Sequence, residues 1–214
     1  MASQQITRGE SSTGRRTIQW IGEQGFIVIF LIWAIYLALN TRNFATANNL
    51  FTVLRQASII GVVAIGAHYI ILLGDMDLSL AANLSLTGVV MASLMVNNEL
   101  PPILAAVMTL GLGALIGLVN GLVITRLKIN SIITTLGMMS ILEGLAFILT
   151  QGKTIFGDSI NGIKFLSSGT ILDAIPVPVI ILFVFYAVAF VVLRRTTYGA
   201  YVFASGNNSK AAWL

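Results

Sequence analysis

Two carboxylates stand almost side by side in Gly74-Asp75-Met76-Asp77-Leu78-Ser79, between two apolar runs with almost no loop to hold them. An acid at the centre of a membrane helix costs about 2.5–3.5 kcal/mol on insertion scales, and less at a break between helices. Two roles suit the segment. Asp77 and Ser79 can cap the helix that follows, because a side-chain oxygen accepts a free N–H there and the helix dipole favours negative charge at that end. Alternatively, the break is a discontinuous helix lining a polar pathway. Glu143, in the middle of another apolar run, offers a similar choice. It lines a ligand path and faces the bundle interior, or it pairs with a group such as His68 or Arg55. Nucleophilic and metal chemistry have little to work with. The sequence holds one histidine and no cysteine, so no Ser–His–Asp or Cys–His set can be argued, and neither a metal site nor a cofactor is expected. Gly152-Lys153-Thr154 imitates the end of a phosphate-binding loop, but Phe147 occupies the position of its first glycine and no strand precedes it. The glycines at Gly111, Gly113 and Gly117 are likewise one residue too widely spaced for a dinucleotide fingerprint.

The elements that carry these residues follow from composition. Of 214 residues, 57% are hydrophobic and 9% charged, against about 25% charged in a soluble domain. That excludes a cytosolic globular enzyme, a disordered tail and a nucleic-acid-binding domain. A bilayer core about 30 Å thick needs roughly 20 apolar residues of helix. Six stretches qualify: Ile18 to Leu39, Ala57 to Gly74, Leu78 to Val96, Pro101 to Thr125, Ile129 to Gln151, and Ala174 to Leu193. Strand-type alternation is missing, and backbone groups in lipid must pair within their own segment, so the expectation is an all-α, multi-pass transmembrane bundle. With both termini in the cytoplasm, eight basic residues (Arg8, Arg15, Arg16, Arg126, Lys128, Arg194, Arg195, Lys210) lie inside and four (Arg42, Arg55, Lys153, Lys164) outside. This satisfies the positive-inside rule and explains the net charge of +4 without nucleic acid. Arg15-Arg16, the apolar run to Leu39 and Ala45-Thr46-Ala47 also imitate a cleaved signal peptide; the uncleaved anchor is the preferred reading.

Residues 1–17 thus form a cytoplasmic tail, residues 18–193 a membrane domain with an external loop over 152–173, and residues 194–214 a cytoplasmic segment. Gly113, Gly117 and Gly121 fall on one helix face, a pattern that lets a neighbouring helix approach closely in lipid. The external loop serves as a docking surface or as a plain tether. In the tail, Asn208 or Ser209 is placed to cap a short helix that contacts a soluble partner.

These residues resemble a known family. Gly74 to Ser79, followed by Leu84-Ser85-Leu86-Thr87-Gly88, is similar to the GGIDLSVG…LTG signature of ribose-type ABC transporter permeases. Asn120 to Ile124, Lys128-Ile129 with Ile133 to Gly137, and Thr150 to Ile155 resemble the same family, as do Tyr198-Gly199 and Ala204 to Ala212. The likeness covers roughly Asn43 to Leu214 and keeps the family's motif order. Asp75 replaces the second glycine of the signature, Ala81 stands where a glycine is usual, and Glu143 stands where many relatives carry arginine.

The resemblance implies an inner-membrane permease subunit, not itself an enzyme, of an importer for a monosaccharide or similar small polar solute. A periplasmic binding protein delivers the solute, a second permease copy completes the path, and a separate cytoplasmic ATPase subunit drives it. Asp77, Ser79 and Glu143 are then candidates for the translocation path, and Gly206, Asn207, Asn208, Ala211 and Ala212 for coupling to the ATPase. The coupling motif is cut at Leu214, so the resemblance also implies the N-terminal part of a longer permease. Two further readings stand beside it: an ion-coupled secondary transporter or channel using Asp77 and Glu143, and a non-transporting assembly subunit.

Overall fold

The structure, a computed structural model, describes residues 12–172 and 175–207. Eight helices are defined among them: α1 Ser12–Asn40, α2 Ala47–Leu72, α3 Leu80–Val96, α4 Pro102–Arg126, α5 Ser131–Thr150, α6 Lys164–Ser168, α7 Val177–Arg195 and α8 Thr197–Asn207. The chain divides into two compact units at Thr52/Val53, a boundary that falls within α2. Within the first, α1 runs to Asn40, whose amide donates to the Tyr36 carbonyl at 2.9 Å. A turn held by Thr46 then leads into α2: its hydroxyl donates to the Asn43 carbonyl at 2.8 Å, and Asn49 donates to the Phe44 carbonyl at 2.7 Å.

In the second unit the helix ends follow local chemistry. Asn130 caps α5, its side chain accepting from the Ile132 N–H at 2.9 Å. Pro101-Pro102 opens α4 and Pro176 with Pro178 opens α7, where a missing N–H is harmless. Gln151 closes α5 in the left-handed conformation, and Thr196, extended, separates α7 from α8. The Thr196 hydroxyl accepts from the Gly199 N–H at 3.3 Å, which makes the threonine the N-cap of α8.

Four helices (α2, α4, α5 and α7) are long and apolar enough to cross a membrane, and α3 and residues Gln24–Asn40 of α1 are apolar but shorter. The seventeen residues of α3 rise about 26 Å, short of a hydrocarbon core of about 30 Å. α3 is therefore too short to span such a core by itself.

The core is small. α3 packs on both α4 and α5, and Ala82, Leu86, Ile116, Leu142 and Ala146 are buried where the three meet. Most other large apolar side chains are exposed, as expected of surfaces that face lipid. Lipid removes the hydrophobic drive between helices, so close packing and interhelical hydrogen bonds must fix this arrangement.

The 152–173 loop is more structured than a tether. A 3-10 turn, Asp158–Ile163, packs on α3 and α4, and α6 follows it onto α7. Arg55 of α2 donates to the Ser168 carbonyl at 3.0 Å. A two-residue strand pair, Thr170–Ile171 with Ile175–Pro176, pairs Thr170 with Pro176 and Ile171 with Ile175. It is a small correction to the expectation of helices alone, and too short to alter the all-α class.

Candidate functional site

The break between α2 and α3 is the most polar interior feature of the bundle. Gly74 turns the chain out of α2 at φ +82°, a conformation that favours glycine. Asp75 does not share that conformation, so its position tolerates a residue with a Cβ. Asp77 then folds over the start of α3. One carboxylate oxygen, Oδ1, accepts from the Ser79 N–H at 2.7 Å and from the Ser79 hydroxyl at 2.6 Å. Ser79 occupies the N-cap position of α3 but makes no side-chain cap bond; Asp77 instead fixes the N-cap residue itself, and the serine hydroxyl acts as a bridge. Its oxygen accepts from Asn120 Nδ2 of α4 at 2.9 Å. From the other side, Thr135 Oγ1 of α5 accepts from the Leu78 N–H at 3.2 Å. Ser79, Asn120 and Thr135 are 1%, 4% and 0% exposed. Three helices are thus joined through one short non-helical segment; the Asn120–Ser79 bond is buried, where losing a partner is costly, and the bonds of Asp77 and Leu78 are part-buried.

Asn120 and Thr135 belong to this network although neither was named as a site residue from the sequence. Both lie in the motifs that carry the family resemblance, Asn120 to Ile124 and Ile133 to Gly137. One turn further along α3, Asn83 donates to the Gly113 carbonyl of α4 at 3.4 Å. The side-chain carbonyls of Asn83 and Asn120 are both buried without a partner, so the α3–α4 seam holds two unused acceptors.

Gly113, Gly117 and Gly121 of α4 do not share one environment. A Cβ on Gly113 would stand 3.6 Å from Asn83 and Thr87 of α3, at ordinary contact distance. Beside Gly117 and Gly121 there is nothing within 4 Å among the described residues.

Asp77 and Ser79 meet, but Glu143 does not join them. It lies eight residues beyond Thr135 on α5, about 12 Å along the axis, and is exposed while its neighbour Leu142 is buried against α3. Among the described residues Glu143 is therefore exposed and separate from the Asp77–Ser79 network. The proposed partners are engaged elsewhere: Arg55 holds Ser168, and His68 lines a cleft between α2 and α7.

Of the coupling candidates, Gly206 lies in α8 and Asn207 ends it. Gly206 is packed so closely on the end of α2 that a Cβ there would collide with the Leu72 carbonyl. Only glycine permits this approach, two residues before the break begins. Asn208, Ala211 and Ala212, and the cap expected at Asn208 or Ser209, lie outside the described residues. The helix itself is defined from Thr197, well before the expected cap.

The described residues thus form an α-helical bundle with several helices long and apolar enough to cross a membrane and a polar segment fixed between α2 and α3. Residues 49–214 match the family described as branched-chain amino acid transport system / permease component, and the chain belongs to that family. It is 34% identical over 197 residues to a ribose import permease of Haemophilus influenzae, covering 91% of this chain and 60% of that protein. Against the ribose import permease of Escherichia coli K12 the identity is 33% over 210 residues, covering 96% and 65%. An L-arabinose ABC transporter permease of Azospirillum brasilense is 34% identical over 198 residues, covering 92% and 57%. The chain spans about three fifths of the length of these relatives. No solved structure matches it. The chain is a multi-pass protein of the bacterial inner membrane.

Proposed function

We propose that this chain contributes the translocation path of an ABC importer for a monosaccharide or a similar small polar solute. A periplasmic binding protein delivers the solute to the face carrying the 152–173 loop. A separate cytoplasmic ATPase subunit, acting on α8 and the residues after it, supplies the energy. The observation that carries this reading is the identity of about one third to ribose and arabinose permeases over most of the chain, together with the polar segment fixed between α2 and α3.

In this reading the chain crosses the membrane six times, with both ends cytoplasmic, as its basic residues favour. Asp77 and Ser79, with Asn120 and Thr135, are positioning residues that hold the break beside the path. Glu143 serves the path from the outward face of α5. An acid at mid-membrane belongs against protein or a water-filled cavity rather than lipid, so that face is covered by a second permease copy or opens onto the path between two copies. The open side of α4 at Gly117 and Gly121 suits the same close contact. Gly206, pressed against Leu72, is suited to carry movement of α8 to the start of the break.

The test is reconstitution of the permease with the ATPase subunit and the periplasmic binding protein of a ribose or arabinose importer, followed by uptake of labelled ribose and arabinose. ATP-dependent uptake that requires both partners is the expected result. Uptake driven by an ion gradient without ATP would instead favour the ion-coupled reading, and failure to associate with any ATPase subunit would sink the proposal.

A further inference from the structure

A second cavity lies away from the α3–α4–α5 core. α2 and α7 touch at Gly61, where a Cβ would stand 2.8 Å from Leu182, and they join again where the Tyr69 hydroxyl donates to the Ala189 carbonyl at 2.9 Å. Position 61 pairs with 182 and position 69 with 189, so the two helices run in the same direction and their C-terminal ends share one end of the bundle. Around these contacts opens a cleft of about 650 Å³, closed on one side by Phe203 of α8.

The walls of the cleft are graded. Ala64, Ile65 and Leu182 form an apolar stretch toward mid-helix. His68, Tyr186 and Arg194 add polar groups, and Arg194 is in the last turn of α7, where a membrane helix leaves the hydrocarbon. The Arg194 guanidinium lies 5.9 Å from the centre of the Phe190 ring, a cation–π contact that aims it. Among the described residues no carboxylate lines the cleft, so its positive charge is not answered from within. Its polar groups lie toward one end, and the apolar stretch at Ala64, Ile65 and Leu182 offers a sugar's hydroxyls no partner. The matching ligand has a hydrocarbon tail, sits at the membrane boundary and carries a negative head.

We propose that the cleft between α2, α7 and α8 binds one anionic phospholipid of the surrounding membrane, with an acyl chain along Ala64, Ile65 and Leu182 and its phosphate at Arg194. Basic pockets between membrane helices recognise anionic heads by charge, and a basic residue near an anionic membrane surface contributes about 1 kcal/mol.

The experiment titrates the full protein, stripped of lipid in mild detergent, with phosphatidylglycerol or phosphatidylcholine and counts bound lipids by native mass spectrometry. The wild type should hold one phosphatidylglycerol in preference to phosphatidylcholine. Arg194→Gln should weaken phosphatidylglycerol binding about fivefold without changing phosphatidylcholine binding, and Arg194→Lys should restore most of it. Ala64→Trp, which fills the apolar stretch, should remove both lipids while leaving the helical circular dichroism intact, and so provides a test independent of the arginine variants. Equal phosphatidylglycerol binding by wild type, Arg194→Gln and Ala64→Trp would overturn the proposal. So would displacement by soluble glycerol phosphate as effective as by lipid. Disulfide-linked dimers of a Phe203→Cys variant in place of retained lipid would also overturn it, by showing that a second copy covers the cleft. The readout is lipid retention, so the result stands whether or not the protein is found to work with an ATPase.

Discussion

The α3–α4–α5 core and the α2–α7 contact solve the same problem in lipid with different means. At the core, Asp77, Ser79, Asn120 and Thr135 link three helices through the α2–α3 break, and small residues such as Ala82 and Gly113 let the backbones close up. Between α2 and α7, one tyrosine hydroxyl reaches across to a backbone carbonyl, and a cleft remains beside it. The two contacts differ in extent, in how closely the backbones approach and in the number of buried polar bonds, and in a bilayer close approach and such bonds decide which helices hold together.

That difference can be broken at its strong end first. Asp77→Ala should cost about 3 kcal/mol in a membrane-protein unfolding assay, because it strands the buried N–H and hydroxyl of Ser79 together. Asp77→Asn keeps an acceptor oxygen and should cost less than half as much. If the alanine variant unfolds like wild type, the break is not pinned as described.

Overpacking the seam comes next. Gly113→Leu should destabilise by about 2 kcal/mol, since α3 is at contact distance there, whereas Gly117→Leu should be nearly neutral in the isolated chain. A large loss from Gly117→Leu in the assembled transporter, read from unfolding with and without a second copy, would place the dimer contact on that side of α4.

The weak end should respond weakly. Tyr69→Phe removes the α2–α7 bond at a cost of about 0.6 kcal/mol, the average for an interhelical hydrogen bond in lipid. A loss as large as that of Asp77→Ala would erase the contrast between the two regions. Smallest of all is Glu143→Gln, which should leave unfolding within about 0.5 kcal/mol of wild type, as for an exposed side chain, while changing uptake by the assembled importer. Unchanged uptake would remove Glu143 from the path.

Much of this was readable from residue order, and the misses have physical causes. The apolar runs located the helices, but hydropathy reports the span in lipid rather than the helix itself. α2 begins at Ala47, ten residues before the apolar run at Ala57, because Asn49, Thr52 and Arg55 sustain helix outside the hydrocarbon or tie it to neighbouring backbone. α8 was hidden by its glycines, although Thr196 carried a legible N-cap. Asp77 and Ser79 stood out because charge between two membrane runs is costly. Asn120 and Thr135 did not, since a helix apolar on all sides gives no periodic signal of its rotation. For the same reason the outward face of Glu143 could not be read from α5, whose lipid-facing and core-facing residues are equally apolar.

The central claim is that Ser79 and Asn120 act as one unit holding the break. A double-mutant cycle of Ser79→Ala and Asn120→Ala, followed by unfolding in lipid or detergent, tests it most directly. A coupling of about 1 kcal/mol between the two positions is the predicted result. Strictly additive losses would contradict it and would leave the α2–α3 break without its anchor on α4.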